Sequence, residues 1–292
     1  METGVLDKSM RELVLRTCTE LPPDILDALA RSRALEHEGS MGRRTLEVIL
    51  ESAALSKVEA LPICQDTGAP LVVVESPPGI DPLPIRDAVT RAIKDLTLQG
   101  VLRQNCVHPV TDANTLDNTG PSVPFFHFEP SGGPVIVGFM LKGGGSENVS
   151  AQYSLPHPGL DAGRDLEGVR RCLLDAVFQA QGKGCPPGVL GACIGGDRAT
   201  GFLVAKMQLF RPLMDNNPDS VLADLERTVL DEANGLGIGP MGLGGSSTLL
   251  GCKIGYAGRH PACYYVTVSY SCWATRRYRV ELDERGGIAR WL

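Results

Sequence analysis

The chain has 292 residues, 21% charged and 43% hydrophobic, the balance of a folded globular protein, which excludes a disordered chain or a fibre. Its formal net charge of -6 argues against a nucleic-acid surface, which needs clustered Lys and Arg, and requires that any anionic substrate be met by local cations. No run approaches the roughly 18 consecutive apolar residues of a spanning helix, and the opening METGVLDKSMRELVLRT lacks a signal-peptide core, so a cytoplasmic protein is expected.

At this length one large domain over 1–292, or two interlocked lobes, is expected. Leu6, Met10, Leu13, Val14 and Leu21 recur at helical spacing, and Pro22-Pro23 opens a second helix through Ile25, Leu26 and Leu29. Ser40 caps a third predicted helix, from Met41 to about Lys57. The run Leu71-Val72-Val73-Val74, stopped by Pro77-Pro78-Gly79, predicts a buried strand. Pro84 then takes a first-turn position ahead of an amphipathic helix to about Gln99. Residues 101–134 are rich in Asn, Asp, Thr, Gly and Pro, which predicts a long functional loop. A strand at 135–141 ends it. Helices are predicted at about 165–181, 199–210 and 218–235, followed by a β-rich end whose clearest strands are 264–268 and 278–282. The sum is an α+β fold with helices packed around β-sheets.

The 34 glycines gather in runs: KGGGSEN at 142–148, GCPPG at 184–188, IGGD at 194–197 and GLGIGPMGLGGSS at 235–247. Glycine weakens helices and strands, so such runs mark backbone that needs positive φ or comes close to something it cradles. Gly237–Gly242 fits the GxGxxG pattern of dinucleotide-binding turns. It follows a predicted helix instead of a strand, carries Pro240 where an amide is needed, and is trailed by Tyr256-Ala257-Gly258-Arg259 instead of an acid. Nucleotide binding is therefore not expected.

Nine cysteines, with no CxxC pair, are expected to be reduced thiols in a chain without a signal sequence. Free cysteines are mostly small buried hydrophobes, which suits Cys18 and Cys172 in helices and Cys193, Cys252 and Cys263 in or beside strands. Cys64 in LPICQDTG, Cys185 in KGCPPG and Cys272 in SYSCWATRR stand instead at Gly/Pro turns or a strand end. Such backbone can wrap an inorganic core. Cys106, in the polar loop, is not placed by this argument, and spacing alone allows a zinc site equally well.

In order along the chain come PICQDTG (62–68), LRQN and NTG (102–105, 118–120), KGGGSEN (142–148), CPPG with IGG (185–188, 194–196), GLGIGPMGLGG (235–245) and RHPACYYVTVSYSCWATRR (259–277). Together they resemble the α part of the class I fumarase and L-tartrate dehydratase family of iron-sulfur hydro-lyases, over nearly the whole chain. The resemblance implies a fold of the class I fumarase N-terminal type, with Cys64, Cys185 and Cys272 ligating a 4Fe-4S cluster through three of its irons. The fourth iron, without a protein ligand, would act as a Lewis acid toward the substrate hydroxyl.

The same resemblance places Gln65 and Asp66 at the substrate, Arg103 and Gly143-Gly144-Gly145 at its carboxylates, and His260 as a hydrogen-bond donor to a carboxylate, with Asp66 and His260 as the catalytic pair. The bland readings are a turn aspartate, a solvated helix-end arginine and a histidine satisfied by backbone. Arg276 and Arg277 are expected to serve structure or the subunit interface.

Single-chain members of the family carry a C-terminal domain that supplies the proton-abstracting group. Here the family-like segments run out near Arg290-Trp291-Leu292, so a separate β subunit is expected, in an α2β2 assembly. KGGGSEN resembles two-subunit fumarases, whereas GRHP and GGSS lean toward tartrate dehydratases. Fumarate hydratase is the expectation, with L-tartrate dehydratase as the alternative and a non-catalytic metal-binding protein as a distant one.

Overall fold

The computed structural model describes residues 1–292. Helices α1 (Thr3–Thr19), α2 (Pro23–Leu35) and α3 (Met41–Glu59) come first, followed by strand β1 (Ala69–Ser76) and by α4 (Leu83–Leu98), with proline in its first turn. Next are β2 (Phe125–Pro130), β3 (Val135–Lys142), α5 (Gly144–Asn148), β4 (Ala151–Ser154), α6 (Leu166–Ala180), β5 (Gly188–Gly195), α7 (Arg198–Gln208) and α8 (Ser220–Gly235). Four strands complete the set: β6 (Leu249–Ala257), β7 (Tyr265–Ser271), β8 (Arg276–Leu282) and β9 (Ile288–Trp291). The class is α+β. Asp165, Asp197 and Asp219 begin α6, α7 and α8 by accepting backbone N–H groups of the first turn, each meeting donors that the helix leaves unpaired. No helix is long and apolar enough to cross a membrane.

The chain divides into two compact units. The first comprises Met1–Pro22, Glu51–Gly144 and Arg276–Leu292. Its five-stranded sheet runs β2-β1-β3-β8-β9, parallel only between β1 and β2. Leu6, Met10 and Leu13 of α1 and Ile85, Val89 and Ile93 of α4 bury against Val72, Val74, Phe139 and Val280 of the sheet. Strand β2 corrects the expectation of loop throughout 101–134. It is an edge strand, paired on one side only, and its half-exposed Phe-Phe-His-Phe lacks the unbroken apolar run that betrays a central strand.

The second unit comprises Pro23–Leu50 and Gly145–Thr275. Its four-stranded sheet runs β4-β7-β5-β6, with β5 and β6 parallel. Leu173 and Val177 of α6 and Val229 of α8 pack with Leu190, Ile254 and Val268. Helix α7 comes so near β5 that a Cβ on Gly191 would lie 2.3 Å from the Ala205 carbonyl oxygen. Gly191→Ala is thus expected to cost about 1–3 kcal/mol. Gly4→Ala, which meets nothing within 4 Å, is expected to leave stability equal or raised, and thermal denaturation of the two variants checks both.

A buried polar knot ties α8 to β6. Glu226, 6% exposed, accepts from the Ile254 amide at 2.6 Å, from Asn217 at 2.8 Å and from Arg211 at 2.8 Å. Arg211 also clasps Asp215 through two bonds, and Lys253 Nζ reaches the same carboxylate.

Candidate active site

In the first unit the PICQDTG segment is a loop between α3 and β1. Cys64 is half-buried, with its Sγ 3.5 Å from Gln65 Oε1. Asp66 turns the chain: Oδ1 accepts from the Gly68 amide at 2.8 Å, and Gly68 holds a φ of 85°. A Cβ there would lie 2.8 Å from the Lys142 carbonyl carbon, so only glycine fits. The carboxylate does more than make a turn. Asn105 Nδ2 donates to Oδ1 at 2.8 Å, the Gly144 amide donates to Oδ2 at 2.7 Å, and Arg276 Nη1 donates to the Asp66 carbonyl at 2.8 Å. Arg276 is only 1% exposed, in keeping with a structural role.

Arg103 is anchored by its backbone, whose N–H donates to Thr67 Oγ1 at 2.6 Å, while its guanidinium is exposed. The loop around it is folded on Asn118, which is 3% exposed with a φ of 58°. Its Oδ1 accepts from the amides of Asn105 and Cys106, and its Nδ2 donates to the Arg103 carbonyl and to Thr97 Oγ1. Gly143 is buried and Gly144 exposed. This unit therefore brings together Cys64, Gln65, Asp66, Arg103 and the Gly143-Gly144 corner.

In the second unit Cys185 and Cys272 are neighbours through backbone. The Trp273 amide donates to the Cys185 carbonyl at 3.1 Å, and the Cys272 amide donates to Ser146 Oγ at 3.2 Å. Cys185 sits at φ 49°, ψ 60°, left-handed geometry that a non-glycine residue keeps only where its surroundings over-determine it. Tyr270, 1% exposed, lies under the turn, so that a Cβ on Gly184 would be 2.7 Å and one on Gly188 2.4 Å from its ring. Burial, with Cys272 and Cys185 alongside, pushes the Tyr270 phenol up from its ordinary range. Gly145 belongs to the same neighbourhood, its Cβ position 3.6 Å from the Lys183 carbonyl oxygen.

His260 lies on an exposed loop of this unit. Its Nδ1 accepts from the Ala262 amide at 3.1 Å, which leaves Nε2 as the ring nitrogen able to donate. Arg259 donates to the carbonyls of Pro261 and Cys263 and stacks 4.5 Å from the Tyr264 ring centroid.

All nine cysteines are thiols. Burial raises Cys18, Cys172 and Cys193 to about 11 and pushes Cys252 up as well, whereas Cys64, Cys106, Cys185 and Cys272 are half-exposed, and so, against the expectation of a buried cysteine, is Cys263, which lies in the loop before β7. Alkylation at pH 8, followed by peptide mass spectrometry, is expected to modify those five first, because the thiolate is the nucleophile. Labelling of Cys172 or Cys193 at the same rate would contradict the structure. No three His, Cys, Asp or Glu side chains stand close enough to hold a single metal ion.

Sequence reasoning passed over Asn105, Asn118 and Tyr270. Asn118 had a visible signal, an asparagine in a polar loop of the kind that tolerates positive φ. Tyr270 had none, since its role depends on two glycines far away in the chain.

The chain belongs to the fumarate hydratase (Fumerase) family, whose model matches residues 7–281. It is 44% identical to a putative class I fumarate hydratase of Geobacillus stearothermophilus, over 98% of this chain and 57% of that protein, so it spans little more than half of that relative's length. It is 35% identical to a putative L(+)-tartrate dehydratase subunit alpha of Methanocaldococcus jannaschii, over 94% of this chain and 97% of the relative. Against the L(+)-tartrate dehydratase subunit alpha of Escherichia coli K12 the identity is 28%, over 89% and 84%.

Proposed function

We propose that this chain is the α component of an iron-sulfur hydro-lyase that interconverts malate and fumarate with loss or addition of water, working as one catalytic domain over 1–292. The observation that carries the reading is the split among the thiols. Cys64, Cys106, Cys185, Cys263 and Cys272 are half-exposed while Cys18, Cys172, Cys193 and Cys252 are buried, and within the half-exposed five the family resemblance picks out Cys64, Cys185 and Cys272. Three such thiols are a donor set suited to a 4Fe-4S cluster, and we assign them as its ligands. When bound, a cluster with one open iron supplies the Lewis acidity that makes hydroxide a tolerable leaving group.

The chain's own residues would bind and orient the diacid. The Arg103 guanidinium suits a carboxylate bidentately, and the glycines at 143–145, whose Gly144 amide is taken by Asp66, would let a carboxylate approach the backbone where a side chain would obstruct. His260 would donate from Nε2 to a substrate carboxylate. Asp66, held by Gly68, Asn105 and Gly144, would present a fixed acceptor to the substrate hydroxyl, with Gln65 beside it. The proton on carbon would be taken by a group on a β subunit, within an α2β2 assembly. Relatives named as alpha subunits, matched over 97% and 84% of their length, support that division. A cytoplasmic setting suits nine reduced thiols.

The test is anaerobic purification of the chain alone and together with the product of a neighbouring gene, with assays on malate, fumarate and L-tartrate. Cluster absorbance in both preparations, and hydratase turnover only in the joint one, is the expected result. Turnover by the chain alone would refute the β subunit, and a colourless or zinc-only preparation would refute the cluster. The two relatives named for L(+)-tartrate favour a second reading, tartrate dehydration on the same residues, and the ratio of rates on the three acids decides between them.

A further inference from the structure

The glycine-rich run 235–247 cradles an anion supplied by the chain itself. Glu36 follows α2 and is 4% exposed. Its Oε1 accepts the amides of Ser246 and Ser247, each at 2.9 Å. Gly244 and Gly245 hold positive φ of 82° and 141°, so the turn offers successive amides to one carboxylate, a backbone nest for an anion. A Cβ on Gly245 would lie 2.6 Å and one on Gly42 3.0 Å from Oε2, so the cavity is cut to the carboxylate.

The loop fixed in this way grips the Cys185 turn at three places. The Met241 amide donates to the Pro186 carbonyl at 2.7 Å, and the Gly188 amide donates to the Thr248 carbonyl at 3.0 Å. Gly242 packs so tightly that a Cβ on it would be 2.6 Å from Gly182 Cα. Cys185 lies among these contacts in its left-handed conformation, and Gly182 accepts its amide at 3.0 Å.

We propose that Glu36 is a positioning residue for Cys185: the buried carboxylate locks the 239–248 loop, and the loop holds the Cys185 turn in the pose from which its thiol ligates. The ligating role rests on the function proposed above, whereas the coupling from Glu36 to the Cys185 turn rests on geometry alone.

The test uses the full chain, and reads in each molecule the alkylation rate of Cys185 relative to Cys263, with Cys172 and Cys193 as reporters of unfolding. Glu36→Ala is expected to raise the Cys185 to Cys263 ratio several-fold without exposing Cys172 or Cys193. Glu36→Gln, which keeps an oxygen acceptor at the same reach, is expected to restore the wild-type ratio. After anaerobic reconstitution, the alanine variant is expected to lose cluster absorbance to a chelator roughly 10- to 100-fold faster than wild type. Should the alanine variant fail to fold, Glu36→Asp, shorter by one methylene, carries the test by the same criteria. An unchanged ratio, or a rise shared equally with Cys172 and Cys193, would overturn the proposal. A wild-type chain that takes up no cluster would overturn the ligand reading of Cys185, and the alkylation ratio would then decide the Glu36 coupling by itself.

Discussion

Cys64→Ser, Cys185→Ser and Cys272→Ser are each expected to abolish a stable cluster and bring hydro-lyase activity to background, while Cys18→Ser and Cys172→Ser keep both. A serine hydroxyl is isosteric with a thiol but remains protonated at neutral pH, so it replaces the shape of the ligand without its charge or softness. The two controls differ in kind. Cys18 is buried in α1, donating weakly to the Val101 carbonyl, and Cys172 is buried in α6. Their replacement is a packing change. Iron and sulfide content, visible absorbance and turnover of the anaerobically purified variants provide the measurement. Equal behaviour across all five would refute the ligand assignment.

Glu226→Ala is expected to lower stability by about 3–5 kcal/mol, because removing one partner strands the charges and donors that remain. In melting temperature this is a fall on the order of 10 °C, readable by calorimetry. Glu226→Gln, which can still accept from Ile254 and Asn217, should fall between wild type and alanine. The knot also sets a pH dependence. Burial alone would raise Asp215, but its hydrogen bonds from Arg211 and Lys253 outweigh that and hold it below its ordinary 3.8. A carboxyl depressed in the folded state contributes stability above its unfolded value and loses it as pH falls through the folded one. The loss should therefore set in below about pH 3.8, and Asp215→Asn should flatten that part of the curve. An equally steep acid limb in the variant would show that other groups control it.

Helices α1 to α4 and strands β1 and β3 were legible because each carries its own period or apolar run, bounded by proline or glycine. Strands β2 and β4 and helix α5 were not, being short or half-exposed. Sheet order was out of reach as well. That β1 lies between β2 and β3, or β5 between β7 and β6, follows from pairings between distant segments that leave no local trace. The candidate site was legible to a similar depth. The turns they occupy made Cys64, Cys185 and Cys272 candidates and the family resemblance selected them, but the bonds that fix Asp66 reach across 39 positions to Asn105 and 78 to Gly144. Likewise, nothing near Glu36 announces that its partners are two serine amides more than 200 positions away.

Tyr270 and the two glycines above it form a set whose members can change only together. With the ring 2.7 Å from a Cβ at 184 and 2.4 Å from one at 188, a side chain at either place would require residue 270 to shrink first. A smaller residue at 270 would in turn open a void beneath the thiol turn. Every single-step route out of this arrangement thus passes through either a clash or a hole. Laboratory evolution should find these three positions immobile one at a time and movable only when randomised together.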